Sequence, residues 1–178
     1  LNMVVHKGKT IFVGDTSVHE YPTSEQMAEI AISTARVVRL FGFNPKVAFV
    51  SHSTFGQPLT SRTKHIRKAV DILKEKKVDF EFDGDMQPDV ALSLEYEELY
   101  PFSKIVGKAN ILIMPGQHSA AISYKMMKTL GDTKVIGPLL IGLGLPVEIA
   151  PLRTSTSEII NLASIAAYSA DVISYKKK

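Results

Sequence analysis

Cysteine is absent from the 178 residues. That excludes a disulfide framework, a thiolate zinc site and a cysteine nucleophile, and it fits a cytoplasmic protein. Long apolar runs are absent too. Stretches such as Ile111-Leu112-Ile113-Met114-Pro115 fall far short of the roughly 20 residues that span a bilayer, and the N-terminal residues lack the basic, apolar, small order of a secretion signal. The sequence therefore implies no membrane partner. Nucleotide-loop signatures fail as well: Gly142-Leu143-Gly144 lacks the third glycine of a dinucleotide fingerprint, and no Gly-x-x-x-x-Gly-Lys-Ser/Thr run exists. His6, His19, His52, His65 and His118 lack the close paired spacing of a helix-borne metal site, so no metal ligand is expected. Basic residues are not clustered with interleaved aromatics, which argues against a nucleic-acid partner. The formal net charge of +3 owes much to Lys176-Lys177-Lys178, read as a solvated tail.

What is present is an ordinary globular composition, 45% hydrophobic and 22% charged, in a chain long enough for one real core. The opening Leu1-Asn2-Met3 reads as a cut inside a longer chain or an added start. Short apolar runs alternate with longer amphipathic segments, the pattern of a sheet with crossover helices. Thr10 to Val13 reads as the first strand, broken by Gly14-Asp15-Thr16. A helix should begin at Thr23 or Ser24, where Thr23 with Gln26, or Ser24 followed by Glu25, supplies cap chemistry. Met27, Ile30, Ala31, Thr34, Val37, Val38 and Phe41 then paint one face at spacings of three and four, and Gly42 ends the helix. Lys46 to Val50 reads as a buried strand, Ser61 to Lys76 as a helix and Phe80 to Phe82 as a short strand. Asp85 to Tyr100 reads as a helix with a break near Pro88. Ile111 to Met114 returns to the sheet, a helix runs from Ser119 to Leu130, Gly137 to Ile149 gives two extended pieces around a Gly-Leu-Gly turn, and Ser155 to Ser174 forms the last helix. The expected fold is α/β: an open, mostly parallel sheet with helices on both faces and right-handed crossovers, in one domain.

Ligands of such sheets sit beyond the carboxyl ends of the strands. Three polar loops are the candidates. Ser51-His52-Ser53-Thr54-Phe55-Gly56 precedes a helix whose first turn holds Arg62 and Lys64, an anion-friendly arrangement; its hydroxyls serve equally well as ordinary helix caps. Pro115-Gly116-Gln117-His118-Ser119 is again strand to helix. In the third, Arg153 precedes Thr154-Ser155-Thr156-Ser157-Glu158, where Ser155 and Glu158 have the spacing of a capping box, or Arg153 and the helix N-terminus hold an anion. These residues make no self-sufficient catalytic set.

Several segments, in order along nearly the whole chain, resemble the phosphate acetyl/butyryltransferase family. They are Ala28-Glu29-Ile30-Ala31; Lys46-Val47-Ala48 with Ser51-His52-Ser53 and Phe55-Gly56; Asp83-Gly84-Asp85-Met86-Gln87; Gly107-Lys108-Ala109-Asn110; Ile136-Gly137-Pro138-Leu139-Leu140; Pro146-Val147; and Asn161-Leu162-Ala163. Ser-His-Ser with a nearby Phe-Gly is similar to the variant of this family fused behind the catalytic domains of bacterial malic enzymes. Active acetyltransferases of the family have a Tyr and a Lys-Gly there, and a Ser-Arg pair followed by a second Ser and an Asp at the start of the last helix. Anchored on Asn161, the second Ser falls on Ser155 and the Asp on Glu158, but the Ser-Arg pair falls on Pro151 and Leu152.

The resemblance thus implies a fragment of a longer protein with malic enzyme catalytic domains in cis. Those domains would hold NADP and a divalent metal and decarboxylate malate oxidatively to pyruvate. The fragment itself would be an allosteric, oligomer-forming module that takes acetyl-CoA or CoA as ligand. The expected acyl-CoA or phosphate contacts are Ser51, Ser53, Thr54, Gly56, Arg62, Gly116, Gln117, Arg153 and Ser155. Arg153, Ser155 and Glu158 would be catalytic only if the chain were a phosphate acetyltransferase fragment moving acetyl between acetyl phosphate and CoA.

Overall fold

A computed structural model describes residues 1–15 and 17–175, with side chains through 171. Thr16 and the Lys176–Lys178 tail of the sequence reading lie outside the described residues. The elements in order are β1 (Asn2–His6), β2 (Lys9–Gly14), α1 (Ser24–Leu40), β3 (Lys46–Val50), α2 (Ser61–Glu75), β4 (Glu81–Met86), α3 (Pro88–Leu92), β5 (Ile111–Ile113), α4 (Gln117–Leu130), β6 (Thr133–Ile136), β7 (Leu139–Leu140), β8 (Val147–Glu148) and α5 (Thr156–Tyr175). Six strands form one sheet in the order β4-β3-β5-β2-β1-β6, and β7 pairs with β8 in a separate hairpin. The pairs β3/β4, β3/β5 and β2/β5 are parallel, while β1 is antiparallel to both β2 and β6. The sheet is therefore mostly parallel, as expected.

Strand side chains alternate between two apolar clusters, because successive residues point to opposite faces. Val47, Phe49, Ile111 and Ile113 join Met27, Ala31, Val38, Ile66, Val70 and Leu73 of α1 and α2 on one face. Ala48, Val50 and Leu112 join Ala91 of α3 and Ala120 of α4 on the other. Burial of each such Leu, Ile or Phe contributes about 1.5–3 kcal/mol. The Thr23–Gln26 capping box that the sequence indicated closes the start of α1: the Gln26 amide donates to Thr23 Oγ1 at 3.1 Å and the Thr23 amide donates to Gln26 Oε1 at 2.8 Å.

Four local expectations are corrected. The first strand is not residues 10–13 but β1, joined to β2 by a turn at Lys7 and Gly8 with φ of 47° and 75°. This left-handed pair is the tight hairpin connection whose twist matches the strands. Asp85 and Met86 belong to β4, and only Pro88–Leu92 of the expected 85–100 helix is helical; Pro at the first turn starts a helix, and extended Ser93 ends it. Helix α4 begins at Gln117, not Ser119. Finally, Thr133–Ile136 is a strand, held by β1.

Candidate functional site

β3 and β5 are neighbours, yet the chain leaves β3 for α2 on one face and leaves β5 for α4 on the other. The crevice that such a reversal opens, beyond the carboxyl ends of the strands, is where α/β sheets hold ligands. Here it gathers the loops after β2, β3 and β5 and the N-termini of α1, α2 and α4.

The Ser51–Gly56 loop contributes less open polarity than its composition suggests. Ser51, Ser53 and Thr54 are all buried. Asp85, fully buried at the end of β4, accepts hydrogen bonds from Ser53 Oγ and from the Gly56 amide (3.1 Å), and its own carbonyl accepts from the Phe55 amide at 2.6 Å. Ser53 Oγ also lies 3.2 Å from Ser51 Oγ. Thr54 Oγ1 accepts from the Gln87 amide at 3.3 Å, and the Gln87 side chain donates to the His52 carbonyl at 2.9 Å. These hydroxyls bind the loop to the strand end. Gly56, at φ 84°, leaves room for the guanidinium of Arg67.

The groups that do face solvent come from α2 and from the loop after β2. A cavity of about 380 Å³ is lined by Tyr21, Thr23, Ser61, Arg62, His65 and Pro115. The Arg62 guanidinium lies 5.7 Å from the centroid of the Tyr21 ring, a cation–π contact. Tyr21 in turn stacks on His118 at 6.2 Å and 18°. His118 Nε2 is 3.3 Å from Glu20 Oε1, and the Gln117 amide donates to the Glu20 carbonyl at 3.3 Å. A Cβ at Gly116 would stand 2.6 Å from that same carbonyl, so this position takes glycine. Ser24 Oγ donates to the His65 carbonyl at 2.8 Å, while His65 Nε2 lies 2.9 Å from the Pro22 carbonyl. Arg62 has no carboxylate partner among the described residues. Its charge and the helix N-termini around it favour an anion.

The structure thus sets Arg62, Gly116 and Gln117 around the Glu20–Tyr21 loop, while Ser51, Ser53, Thr54 and Gly56, which also follow a strand at this end of the sheet, do not line the cavity. It does not bring Arg153, Ser155 and Glu158 to them. Those residues border Ile136 and Gly137, where Arg153 and Glu158 line a separate depression of about 150 Å³ with Lys128 and Asn161. β6 lies four positions from β3 in the strand order, about 19 Å at the usual strand spacing. Glu158 is fully engaged: it accepts from the Ser155 amide and the Ser155 hydroxyl, both at 2.8 Å, and from Lys128 Nζ at 3.0 Å. Its carboxyl is held down at about 2, first by the Ser155 amide and then by Lys128. The return bond from the Glu158 amide to Ser155 Oγ, 3.4 Å, completes the capping box read in the sequence.

Sequence reasoning passed over Tyr21, His65 and Asp85. Tyr21 stands in the loop after β2, which the polar-loop search left aside although Tyr21-Pro22 ends it just before a capped helix. Asp85 was visible only as part of a motif, and its role depends on a partner 32 residues away in sequence.

The match to proteins of known family is direct. The family model described as "Phosphate acetyl/butaryl transferase" matches residues 1–167. The chain belongs to that family. It is 47% identical over 170 residues to an NADP-dependent malic enzyme of Rhizobium meliloti, covering 96% of this chain and 22% of the relative. It is 34% identical to the Bacillus subtilis phosphate acetyltransferase, covering 92% of this chain and 51% of that one. A phosphotransacetylase crystal structure from Streptococcus pyogenes superposes with a TM-score of 0.89 at 31% identity, over 95% of this chain and 53% of the other. The chain therefore spans about a fifth of the malic enzyme relative and about half of the phosphotransacetylases. It is similar to the C-terminal phosphotransacetylase-like region of the malic enzymes. Among the described residues, no helix is long and apolar enough to cross a membrane, and no group of three or more His, Cys, Asp or Glu is placed to hold a metal.

Proposed function

We propose that this chain is the acyl-CoA-sensing and oligomer-forming module of an NADP-dependent malic enzyme, without transferase activity of its own. The observation that carries this reading is the state of the segment before α5. Anchored on Asn161, the family resemblance puts Pro151 and Leu152 at the Ser-Arg pair of active acetyltransferases, and Glu158 is committed to Ser155 and Lys128. A carboxylate near 2 is a poor proton acceptor for a CoA thiol, because a general base works best with a pKa near the operating pH. The Arg62–Tyr21–His118 cleft then serves as the ligand site: Arg62 meets phosphate, and the stacked rings offer a flat face. The catalytic domains of the longer polypeptide, with NADP and a divalent metal, carry out the oxidative decarboxylation of malate. Acetyl-CoA shifts their activity by binding one state of the assembly more tightly, with a coupling of about 1–3 kcal/mol.

An exposed apolar surface supports the assembly role. Ile122, Met126 and Leu130 of α4, Ile159 and Ile160 of α5, and Leu145 and Leu152 beside the β7/β8 hairpin are all open to solvent in this chain. Calorimetric titration of the chain with acetyl-CoA tests the reading. Saturable binding that Arg62→Ala weakens at least tenfold supports it; equal affinity in the variant removes Arg62 from the site, and no binding at millimolar ligand ends the sensing role.

Arg153 and Glu158 do line one depression, which favours a second reading, a phosphate acetyltransferase fragment in which Arg153 steadies the departing phosphate and Glu158 takes the thiol proton. Acetyl-CoA formation from acetyl phosphate and CoA that is lost in Arg153→Ala would establish this reading in place of the first.

A further inference from the structure

On the opposite flank of the Ser51–Gly56 loop, α2 and the irregular segment after α3 enclose a second cavity, of about 300 Å³, lined by Phe55, Arg67, Lys74, Phe102 and Lys104 among others. None of these residues lines the Arg62 cleft. Two features set it apart. Phe102 is 63% exposed, although it belongs to a ring cluster in which its centroid lies 4.8 Å from that of Phe55 at 68° and 6.1 Å from that of Tyr100. The buried edge of this cluster fixes the ring while one side of it stays uncovered. Around that ring stand three cations drawn from different parts of the chain. Arg67 and Lys74 lie seven residues apart on α2 and so share one face of the helix, and Lys104 follows Phe102 in the facing segment.

Two carboxylates, Asp71 and Asp83, line the same cavity, so the three cations outnumber them by one, and only Lys74 is ion-paired. Both oxygens of Asp83 are taken by backbone donors, the Gly84 amide at 2.9 Å and the Lys104 amide at 2.7 Å. Asp71 pairs with Lys74 at 2.7 Å on an exposed surface, a contact worth little and easily exchanged. The ammonium of Lys104 has no carboxylate partner among the described residues, and Arg67 makes only a 3.5 Å contact with the Phe55 carbonyl. A fixed, open aromatic face beside two uncommitted cations suits a ligand that is flat and aromatic at one end and multiply anionic at the other. Stacking holds the ring, as aromatic side chains hold bases in single-stranded nucleic acids, and Arg and Lys take the phosphates. A cavity of this size lies at the lower end of the range for small-molecule sites, too small for a polymer.

We propose that this cavity is a site for a free nucleoside diphosphate, separate from the cleft at Arg62. The test titrates the 178-residue chain with ADP, and separately with adenosine and with inorganic pyrophosphate, following heat and the amide resonances of Phe102 and Lys104. ADP is expected to bind with local shifts at these residues, and adenosine and pyrophosphate each at least tenfold more weakly. Phe102→Ala and Lys104→Gln should each weaken ADP about tenfold, while Lys125→Gln on α4 leaves it unchanged; thermal melts of the variants separate loss of binding from loss of fold. A second titration adds CoA. Simultaneous binding of CoA and ADP supports the proposal, and displacement of ADP from Phe102 by CoA would overturn it by assigning the cavity to the coenzyme. Pyrophosphate binding as tightly as ADP would overturn the proposal in favour of a plain anion patch, and ADP shifts elsewhere, or none at millimolar concentration, would overturn it outright.

Discussion

The guanidinium nitrogen of Arg67 lies 2.5 Å from the point where a Cβ on Gly56 would stand. Glycine at 56 thus does two things at once: it accepts a φ of 84°, and it lets an arginine lie flat against the loop. An L-residue in that backbone region costs about 1–2 kcal/mol. Gly56→Ala should therefore lower unfolding stability in urea by about 1–2 kcal/mol, with little change in the denaturant slope. Combined with Arg67→Ala, the loss should be smaller than the sum of the two single losses, since the clash disappears with the arginine. Strict additivity would show that Arg67 does not rest on Gly56.

Asp85 is the buried anchor of the same loop. Its removal leaves the buried Ser53 hydroxyl and the Gly56 amide without their shared acceptor. Asp85→Ala is expected to cost about 3 kcal/mol and Ser53→Ala about 1 kcal/mol, by the usual cost of orphaned buried donors. A chemical denaturation series on the two variants checks this; equal effects would mean that the loop is held by something other than the carboxylate.

Acid should loosen the start of α5 first. The Glu158 carboxyl sits at about 2 in the folded chain against 4.5 as its ordinary value. A depressed folded-state value means that its stabilisation is complete above the ordinary value and is lost as pH falls from about 4.5 toward 2. Protection of the Ser157 to Ile160 amides, taken relative to intrinsic exchange at each pH, should fall over that window in the native chain. In Glu158→Gln protection there should be lower already at neutral pH and should lack this pH dependence. A native chain whose protection factors in this turn stay constant between pH 5 and 2.5 would contradict the contact with Ser155 and Lys128.

The open apolar surface predicts behaviour of the separate chain. Exposed patches of this kind drive association. Leu145→Lys combined with Ile160→Lys should reduce binding of a hydrophobic dye and shift sedimentation toward the monomer, while the melting temperature stays nearly unchanged, because neither side chain is packed here. A large fall in melting temperature would mean that these residues support the chain's own core.

Much of this could be read from the sequence, for reasons that differ by element. α1 and α2 were legible because their apolar positions repeat with helical spacing and Thr23 and Gln26 close the first of them. β3 and β5 were legible as unbroken apolar runs, which both-face burial requires. β1 and β6 were not, since each is short and half-polar; β1 becomes a strand by pairing with β2 and β6, and β6 by pairing with β1. The expected helix across 85–100 failed because Asp85 and Met86 pair into β4, Ser93 is extended, and the residues after it make isolated turns, such as Glu97 to Leu94 and Ser103 to Tyr100, that do not join into a helix. At the site, Arg62, Gly116 and Gln117 were placed together, as polar loops at one edge should be. The separation of Arg153 and Glu158 depended on the order of strands across the sheet, which a list of loops cannot supply.

That order has a consequence for how the chain comes together. β5 sits between β2 and β3, which precede it in sequence by about a hundred and about sixty residues respectively. Its three residues therefore have to enter a slot whose two sides have already been synthesised and pulled apart by α1. Until Ile111 to Ile113 arrive, Phe12 on one side and Val47 and Phe49 on the other have no strand between them. Contacts of such long sequence separation slow folding. Among the described residues β5 is thus the one strand through which the β1/β2 pair and the β3/β4 pair become a single sheet, and three residues carry the whole of that junction.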